Sequence, residues 1–320
     1  MALHLHRHLR PTSADEGRAL RRALALTAGL FVVEVAGGAL ANSLALLSDA
    51  GHMLTDLLAL GLSGAALGLA GRPATERRTF GYYRLEILSA LGNGVLLAVL
   101  AGGILVEAAN RFGHPPRVGV EIVFPVAVCG LAANVLAFWW LRRAGGGIVT
   151  RAAVWHTASD AASSVLVLAA AGVMALTSWW WLDPAVSVVL AGVMVFGAFR
   201  LMRESLDVLL ESSPRELDLA RVEAAIRSVA GVEAVHDLHV WSLTSGVNSL
   251  SGHLRVKPDR LAQADRIIGE ARRALEGRFG IVHTTLQVES EHCGGVICVL
   301  GSPEPVAATP PVSNGIGERP

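Results

Sequence analysis

Two His-x-x-x-Asp pairs, His52/Asp56 and His156/Asp160, stand inside separate apolar stretches of this 320-residue chain. On a helix, residues i and i+4 project from one face, so each pair presents an imidazole and a carboxylate side by side. Ionisable side chains are costly in hydrocarbon, and inside apolar segments they mark an ion or proton pathway by default. Two imidazoles and two carboxylates from facing helices would form a four-coordinate N2O2 set, which suits Zn2+ and its nearest relative Cd2+. Carboxylate-only sets favour Mg or Mn instead. The same atoms also take protons: metal needs neutral His and ionised Asp, and an imidazole in water titrates near ~6.5. Metal and protons therefore compete for one site. Joining helices by hydrogen bonds is the plainer use of buried polar groups, but Ser, Thr or Asn suffice for that.

The elements that must position these pairs are apolar helices. Residues are 52% hydrophobic and only 17% charged, and the formal net charge is zero. A neutral chain offers no global basic field, so nucleic acid is not an expected partner. A spanning helix needs about 20 mostly apolar residues. Six stretches qualify, at Ala23–Ala41, Leu44–Ala70, Leu85–Ala108, Val118–Leu141, Ala152–Ser178 and Leu182–Leu201. Arginines alternate across their connections. Arg18, Arg21 and Arg22 precede the first helix, Arg72, Arg77, Arg78 and Arg84 follow the second, Arg142, Arg143 and Arg151 follow the fourth, and Arg200 and Arg203 close the sixth. The opposite loops carry Arg111 and Arg117. The positive-inside rule then places both termini in the cytoplasm of a protein that crosses the cell (inner or plasma) membrane several times, in direct contact with the lipid bilayer. The N-terminal residues, with His4, His6 and His8, do not read as a secretory signal. Cys129, Cys293 and Cys298 form neither a disulfide framework nor a CxxC pair.

From about Asp207 the composition becomes that of a soluble domain. Leu217–Val229 has helical periodicity, Val232–Leu243 and Val247–Val256 alternate as strands, Leu261–Phe279 is an amphipathic helix and Ile281–Val288 is a third strand. This α-β-β-α-β order predicts a small α+β sheet with helices on one face. The expected organisation is a His-containing tail over 1–17, a six-helix transmembrane domain over 18–206, a cytosolic domain over 207–291 and a tail over 292–320 rich in Pro, Gly and Ser.

The stretch Leu46–Asp56 together with Val154–Asp160 resembles the cation diffusion facilitator family. Further matches are Phe80-Gly81-Tyr82-Tyr83-Arg84-Leu85-Glu86, Trp181-Leu182-Asp183-Pro184 and Val235-His236-Asp237-Leu238-His239-Val240-Trp241. The likeness runs from about Arg18 to Glu289, and the zinc/cadmium exporters with His-x-x-x-Asp on both the second and fifth helices are the subgroup most like it. It implies a homodimeric metal/proton antiporter, not an enzyme, with a ferredoxin-like, metallochaperone-like cytosolic domain. Zn2+ would be the substrate and a regulatory ion as well. In that domain His236, His239, His253, His283, Glu289, His292 and Cys293 are candidate ligands, and the resemblance favours His236, His253 and His283 for a regulatory site. Strict alternation puts His236 and His239 on opposite faces unless a bulge intervenes.

Other polar residues in the spans carry weaker expectations. Asp49 would line the outer mouth of a pathway or stabilise the first turn of its helix. Asn42-Ser43 reads as a helix start, and Asp183-Pro184 as an N-cap followed by Pro at the first helical position. Glu34, Asn93, Glu107 and Asn134 face either the pathway or helix contacts. An intramembrane metalloenzyme would need an open coordination position and a base, as in His-Glu-x-x-His, and no such motif occurs in the chain. A metal sensor would usually carry a catalytic or DNA-binding module, and none is evident.

Overall fold

A computed structural model describes residues 14–70, 73–144 and 148–291, and the chain divides into two compact units after Leu210. The first holds six long helices: α1 (Ala14–Ala41), α2 (Leu44–Ala70), α3 (Arg84–Gly113), α4 (Val120–Ala144), α5 (Ile148–Thr177) and α6 (Leu182–Leu209). Five of them contain stretches long and apolar enough to cross a bilayer, 17–41, 84–113, 120–144, 150–177 and 182–209. α2, at 27 residues, falls within their range of lengths, and its only charged groups besides His52 are Asp49 and Asp56. Several helices outrun the apolar windows. α1 starts at Ala14, inside the stretch expected to be a tail, and α6 continues to Leu209. An apolar-length criterion finds the lipid-facing part of a helix, whereas backbone hydrogen bonding carries the helix on through polar residues such as Arg18 and Arg22.

α3 packs on α6, α4 on α5, α1 on α4, and α2 on both α1 and α3. Small residues permit the closest approaches. A Cβ on Gly37 would lie 2.8 Å from Val126 on α4, and one on Gly94 would lie 2.8 Å from Met202 on α6. Large apolar side chains such as Leu40, Val99, Leu176 and Phe196 stay exposed, as suits a surface that meets lipid.

The outer ends are joined by one buried carboxylate, and here the structure corrects the sequence reading. Asp183 does not cap its own helix, which starts two residues earlier with Trp181 at the N-cap. It caps α2 instead. Its carboxylate accepts hydrogen bonds from Ser43 Oγ at 2.6 Å, Leu44 N at 2.8 Å and Ala45 N at 3.3 Å. Ser43 Oγ in turn accepts from Leu46 N, so the helix start expected at Asn42-Ser43 is present and is completed from 140 residues away. Asn42 turns the chain with a positive φ of 54°. Arg111 holds that turn by donating to Asn42 O at 2.8 Å and Asn42 Oδ1 at 3.1 Å, and its Nη1 lies 3.8 Å from Asp183.

The second unit comprises α7 (Leu219–Arg227), β1 (Val232–Thr244), β2 (Val247–Val256), a 3-10 turn (Pro258–Gln263), α8 (Ala264–Phe279) and β3 (Ile281–Glu289). The expected α-β-β-α-β order is present, with the 3-10 turn replacing the first residues assigned to the second helix. The sheet order is β1-β2-β3, with β1/β2 antiparallel through a tight turn at Gly246 (φ +74°) and β2/β3 parallel. Val222, Ile226, Leu250, Leu254, Ile267, Leu275 and Ile281 form its core. The helices thus cover one face of the sheet.

Asp183→Ala should lower the thermal stability of the purified protein by about 2–3 kcal/mol, because it removes the α2 cap and strands buried N–H donors. Glu107→Gln, which loses only a half-exposed ion pair with Arg111, should change it by less than about 1 kcal/mol. Equal melting temperatures for Asp183→Ala and the native chain would remove the trans-cap from the account.

Candidate metal centre

α2 and α5 bring the two His/Asp pairs together. His156 Nε2 lies 3.2 Å from Asp56 Oδ2 and 3.6 Å from Asp160 Oδ2, and His52 Nε2 lies 3.6 Å from Asp56 Oδ2 and 3.8 Å from Asp160 Oδ1. The imidazole rings sit 5.8 Å apart, tilted by 58°. Metal–ligand bonds of about 2.0–2.1 Å in a tetrahedron separate neighbouring ligand atoms by about 3.3–3.4 Å. The separations bracket that value; Asp160 meets the two imidazoles through different oxygens, and His52, His156 and Asp160 offer single ligand atoms all within 4.8 Å of one another, with Asp56 joining them through its contact with His156. Asp160 Oδ1 is buried with no hydrogen-bond partner, which leaves an acceptor oriented for a cation.

A cavity of about 480 Å3 adjoins the cluster. His52, His156 and Asp160 stand at its polar end with Ser48, Asp49 and Ser163, and Leu97, Leu166, Val193 and Met194 form its apolar wall. Its lining follows α2 toward its N-terminus and α5 toward its C-terminus, so it extends from the cluster toward the ends capped by Asp183. Asp49, left open between two roles by the sequence, lines this cavity and accepts a hydrogen bond from Ser163 at 2.8 Å. Glu34 on α1 is 1% exposed and packs against Gly130, whose Cβ, were it present, would meet Glu34 Oε1 at 3.0 Å. Beside it Ser164 accepts from Asn134 at 3.2 Å and donates to Asp160 O at 3.0 Å. Asn134 thus faces helix contacts behind the cluster rather than the cavity.

The second unit holds another group. His236 and His253 are cross-strand partners on β1 and β2, with rings 5.2 Å apart. Glu289, at the end of β3, bridges them, with Oε1 at 2.7 Å from His236 Nε2 and Oε2 at 3.5 Å from His253 Nδ1. Gln287 pairs with His253, and Glu289, two residues on, points to the same face. Neither His253 Nδ1 nor Glu289 Oε1 finds a hydrogen-bond geometry, although both are buried.

His283 does not join this group. It pairs with Ser249, six residues from Glu289, which is roughly 20 Å along a strand. Residue type and face suited it, but along β3 it is Glu289 that lies beside His236 and His253. The relation of His236 to His239 changes as well. Between them β1 carries one residue more than β2, and Asp237 takes up the difference at a φ of 50°. The bulge returns His236 and His239 to one face, where Asp237 reaches His239 Nε2 at 2.9 Å and His253 Nε2 at 3.7 Å. Asp237 is the residue that sequence reasoning missed, and the Val-His-Asp-Leu-His run gives little sign of a bulge. His4, His6, His8, His292 and Cys293 lie outside the described residues.

Comparison with known proteins agrees with both units. The model of the cation efflux transmembrane domain matches residues 20–210, and that of the cation efflux protein cytoplasmic domain matches 214–291. The metal cation efflux system protein CzcD of Cupriavidus metallidurans is 40% identical over 289 residues, 90% of each chain. The zinc transporter ZitB of Escherichia coli is 36% identical over 93% of this chain and 96% of its own. A cadmium, cobalt and zinc/H(+)-K(+) antiporter of Bacillus velezensis is 35% identical over 92% and 95%. Two facing His/Asp pairs in a helical membrane unit, followed by a cytoplasmic αββαβ unit, accordingly identify this chain as a multi-pass membrane transporter of the cation efflux, or cation diffusion facilitator, family.

Proposed function

We propose that the protein exports Zn2+, and Cd2+ with it, from the cytosol in exchange for protons, through a tetrahedral site formed by His52, Asp56, His156 and Asp160. The observation that carries this reading is the set of four nitrogen–oxygen separations of 3.2–3.8 Å, two across α2 and α5 and one within each helix, close to the edge of a zinc tetrahedron. Cargo metal enters when both imidazoles are neutral and both carboxylates ionised. On the more acidic outer side, protons take the same lone pairs and the metal leaves. Rocking of the helices exposes the site to each side in turn. The cavity at the outer side of the cluster, where Asp49 is held by Ser163, supports an exit path in that direction. Relatives described as a zinc transporter and as a cadmium, cobalt and zinc antiporter support the ion class and the exchange.

In the cytoplasmic unit, His236, His253 and Glu289 fit a regulatory Zn2+. Two nitrogens and a carboxylate suit that ion, and two of their buried atoms lack other partners. We assign this unit the further role of holding two copies of the chain together as a homodimer, as the family resemblance implies.

Alanine at His52, Asp56, His156 or Asp160 removes one of four ligands. Each variant should reduce Zn2+ flux in sealed vesicles at least about 100-fold while remaining inserted, in line with the loss of a metal ligand. Well-inserted variants with native flux would defeat the site assignment.

Exchange carries its own signature. Zn2+ uptake by inside-out vesicles should require an acidic lumen, alkalinise it, and weaken as the cytosolic-side medium is acidified, because protons then occupy the ligands before metal arrives. Flux that persists unchanged after the gradient is collapsed, with no lumenal alkalinisation, would point to a channel.

The cytoplasmic unit has its own core, so a fragment beginning at Glu211 should fold, dimerise and bind Zn2+. Glu289→Gln should weaken binding by more than about tenfold in calorimetry, and His283→Ala should leave it near native. The opposite ranking would restore His283 to the site.

A further inference from the structure

Two cavities flank the cytosolic end of α4, and none of the four cargo-site residues lines either one. Between α1 and α4 lies a recess of about 190 Å3, where Arg18, Arg22 and Arg143 meet beside Trp140. Between α4 and α5 lies a larger groove of about 420 Å3. Its wall is apolar, formed by Phe138, Val154, Trp155 and Ala158, and Arg142 and Arg151 bring one guanidinium each from the two helices. Among the described residues, no carboxylate lines either cavity.

Positive charge at cytosolic helix ends follows from topology alone. Topology does not require arginines from two helices to meet across an apolar furrow. Trp155 is 76% exposed along this groove, a large apolar surface that neither helix covers. On the neighbouring face of α4, Arg143 stacks 3.8 Å above the ring of Trp139, which holds its guanidinium at the level where aromatic and basic side chains meet lipid headgroups. Guanidinium groups grip phosphate through paired N–H donors, and basic pockets between helices on the cytosolic side recruit anionic headgroups.

We propose that the α4/α5 groove is a binding site for an anionic phospholipid. Its phosphate lies between Arg142 and Arg151, and an acyl chain runs along Phe138, Val154, Trp155 and Ala158. A free phosphate ion would satisfy the two arginines equally well, but it would leave the apolar wall uncovered, and this favours the lipid. The arginines of the α1/α4 recess extend the positive surface around the same helix end. A lipid seated in the groove braces α5, the helix that carries His156 and Asp160. The assignment does not depend on which ion is transported, because its test reads lipid retention and not flux.

The full-length protein, stripped of lipid in detergent and offered equal amounts of phosphatidylglycerol and phosphatidylcholine, reports the preference by native mass spectrometry. The native chain should retain phosphatidylglycerol over phosphatidylcholine by roughly thirty-fold, about fivefold for each arginine. That preference should fall close to unity in Arg142→Gln/Arg151→Gln. It should survive in Arg77→Gln/Arg203→Gln, which removes the same charge outside the groove. Val154→Trp keeps both arginines and fills the apolar wall, so it should lower phospholipid retention even if the double variant fails to insert. Equal preference in groove and control variants would reduce the effect to diffuse surface charge and overturn the site. Full retention by Val154→Trp, or equal protection against thermal unfolding by inorganic phosphate and phosphatidylglycerol, would overturn the lipid as its occupant.

Discussion

A charged side chain placed in hydrocarbon must find its counterpart within the protein, and the helical unit is organised around that constraint. It has two solutions, at different depths. At the outer ends, Asp183 is fully buried and finds three donors on the start of α2, with Arg111 close behind. These partners are permanent, so this carboxylate does structural work. Deeper in, Asp56 and Asp160 face two imidazoles at 3.2–3.8 Å, distances at the limit of direct hydrogen bonding or beyond it. His156 and Asp56 are within hydrogen-bonding reach, but the other three separations are too long and Asp160 Oδ1 is left buried without a partner, a condition under which a cation becomes the best available partner.

The cytoplasmic unit meets a related requirement by different means. Strands provide no i,i+4 face, so its three potential ligands come from three strands and depend on register. The antiparallel pairing sets His236 opposite His253, and the parallel pairing brings Glu289 to the same face. A shift of one residue in either ladder would separate them. The bulge at Asp237 then adds a second carboxylate on the far side of the His253 ring, whose two nitrogens therefore face different acids. Such an outer carboxylate can fix the tautomer and orientation of a ligating imidazole.

How much of this was legible in the sequence depended on the range of the interaction. The His/Asp pairs were legible because both members lie on one helix turn, and helix periodicity alone aligns them. The six helices and the αββαβ order were legible for the same local reason. His283 against Glu289 was not, because the choice depends on which residue of β3 falls opposite His253, a register set by packing of the whole sheet. Asp183 misled because Asp-Pro at a helix start is a strong local signal for an N-cap. Trp181 and Leu182 carried the helix start back, and the freed carboxylate turned to α2, a partner no local pattern could indicate. The bulge at Asp237 was invisible for a third reason: nothing but the cross-strand pairing records an extra residue.

The division of the proposed cargo site between two helices bears on how it can release a metal. In the proposed site each of α2 and α5 supplies one nitrogen and one oxygen, half of a shell, and the halves lean mainly on different neighbours, α2 on α1 and α3 and α5 on α4, with α6 touching both. Tetrahedral edges tolerate little stretching, so separating α2 from α5 by an ångström or two would turn a four-ligand site into two weak two-ligand sites. Protonating the imidazoles works in the same direction, because it replaces attraction to a shared cation with two fixed positive charges across the gap. Helix separation and proton binding therefore reinforce each other. A site made of four ligands on one helix would hold its metal regardless of how the helices moved. Two and two is the arrangement in which affinity, helix spacing and protonation become a single variable.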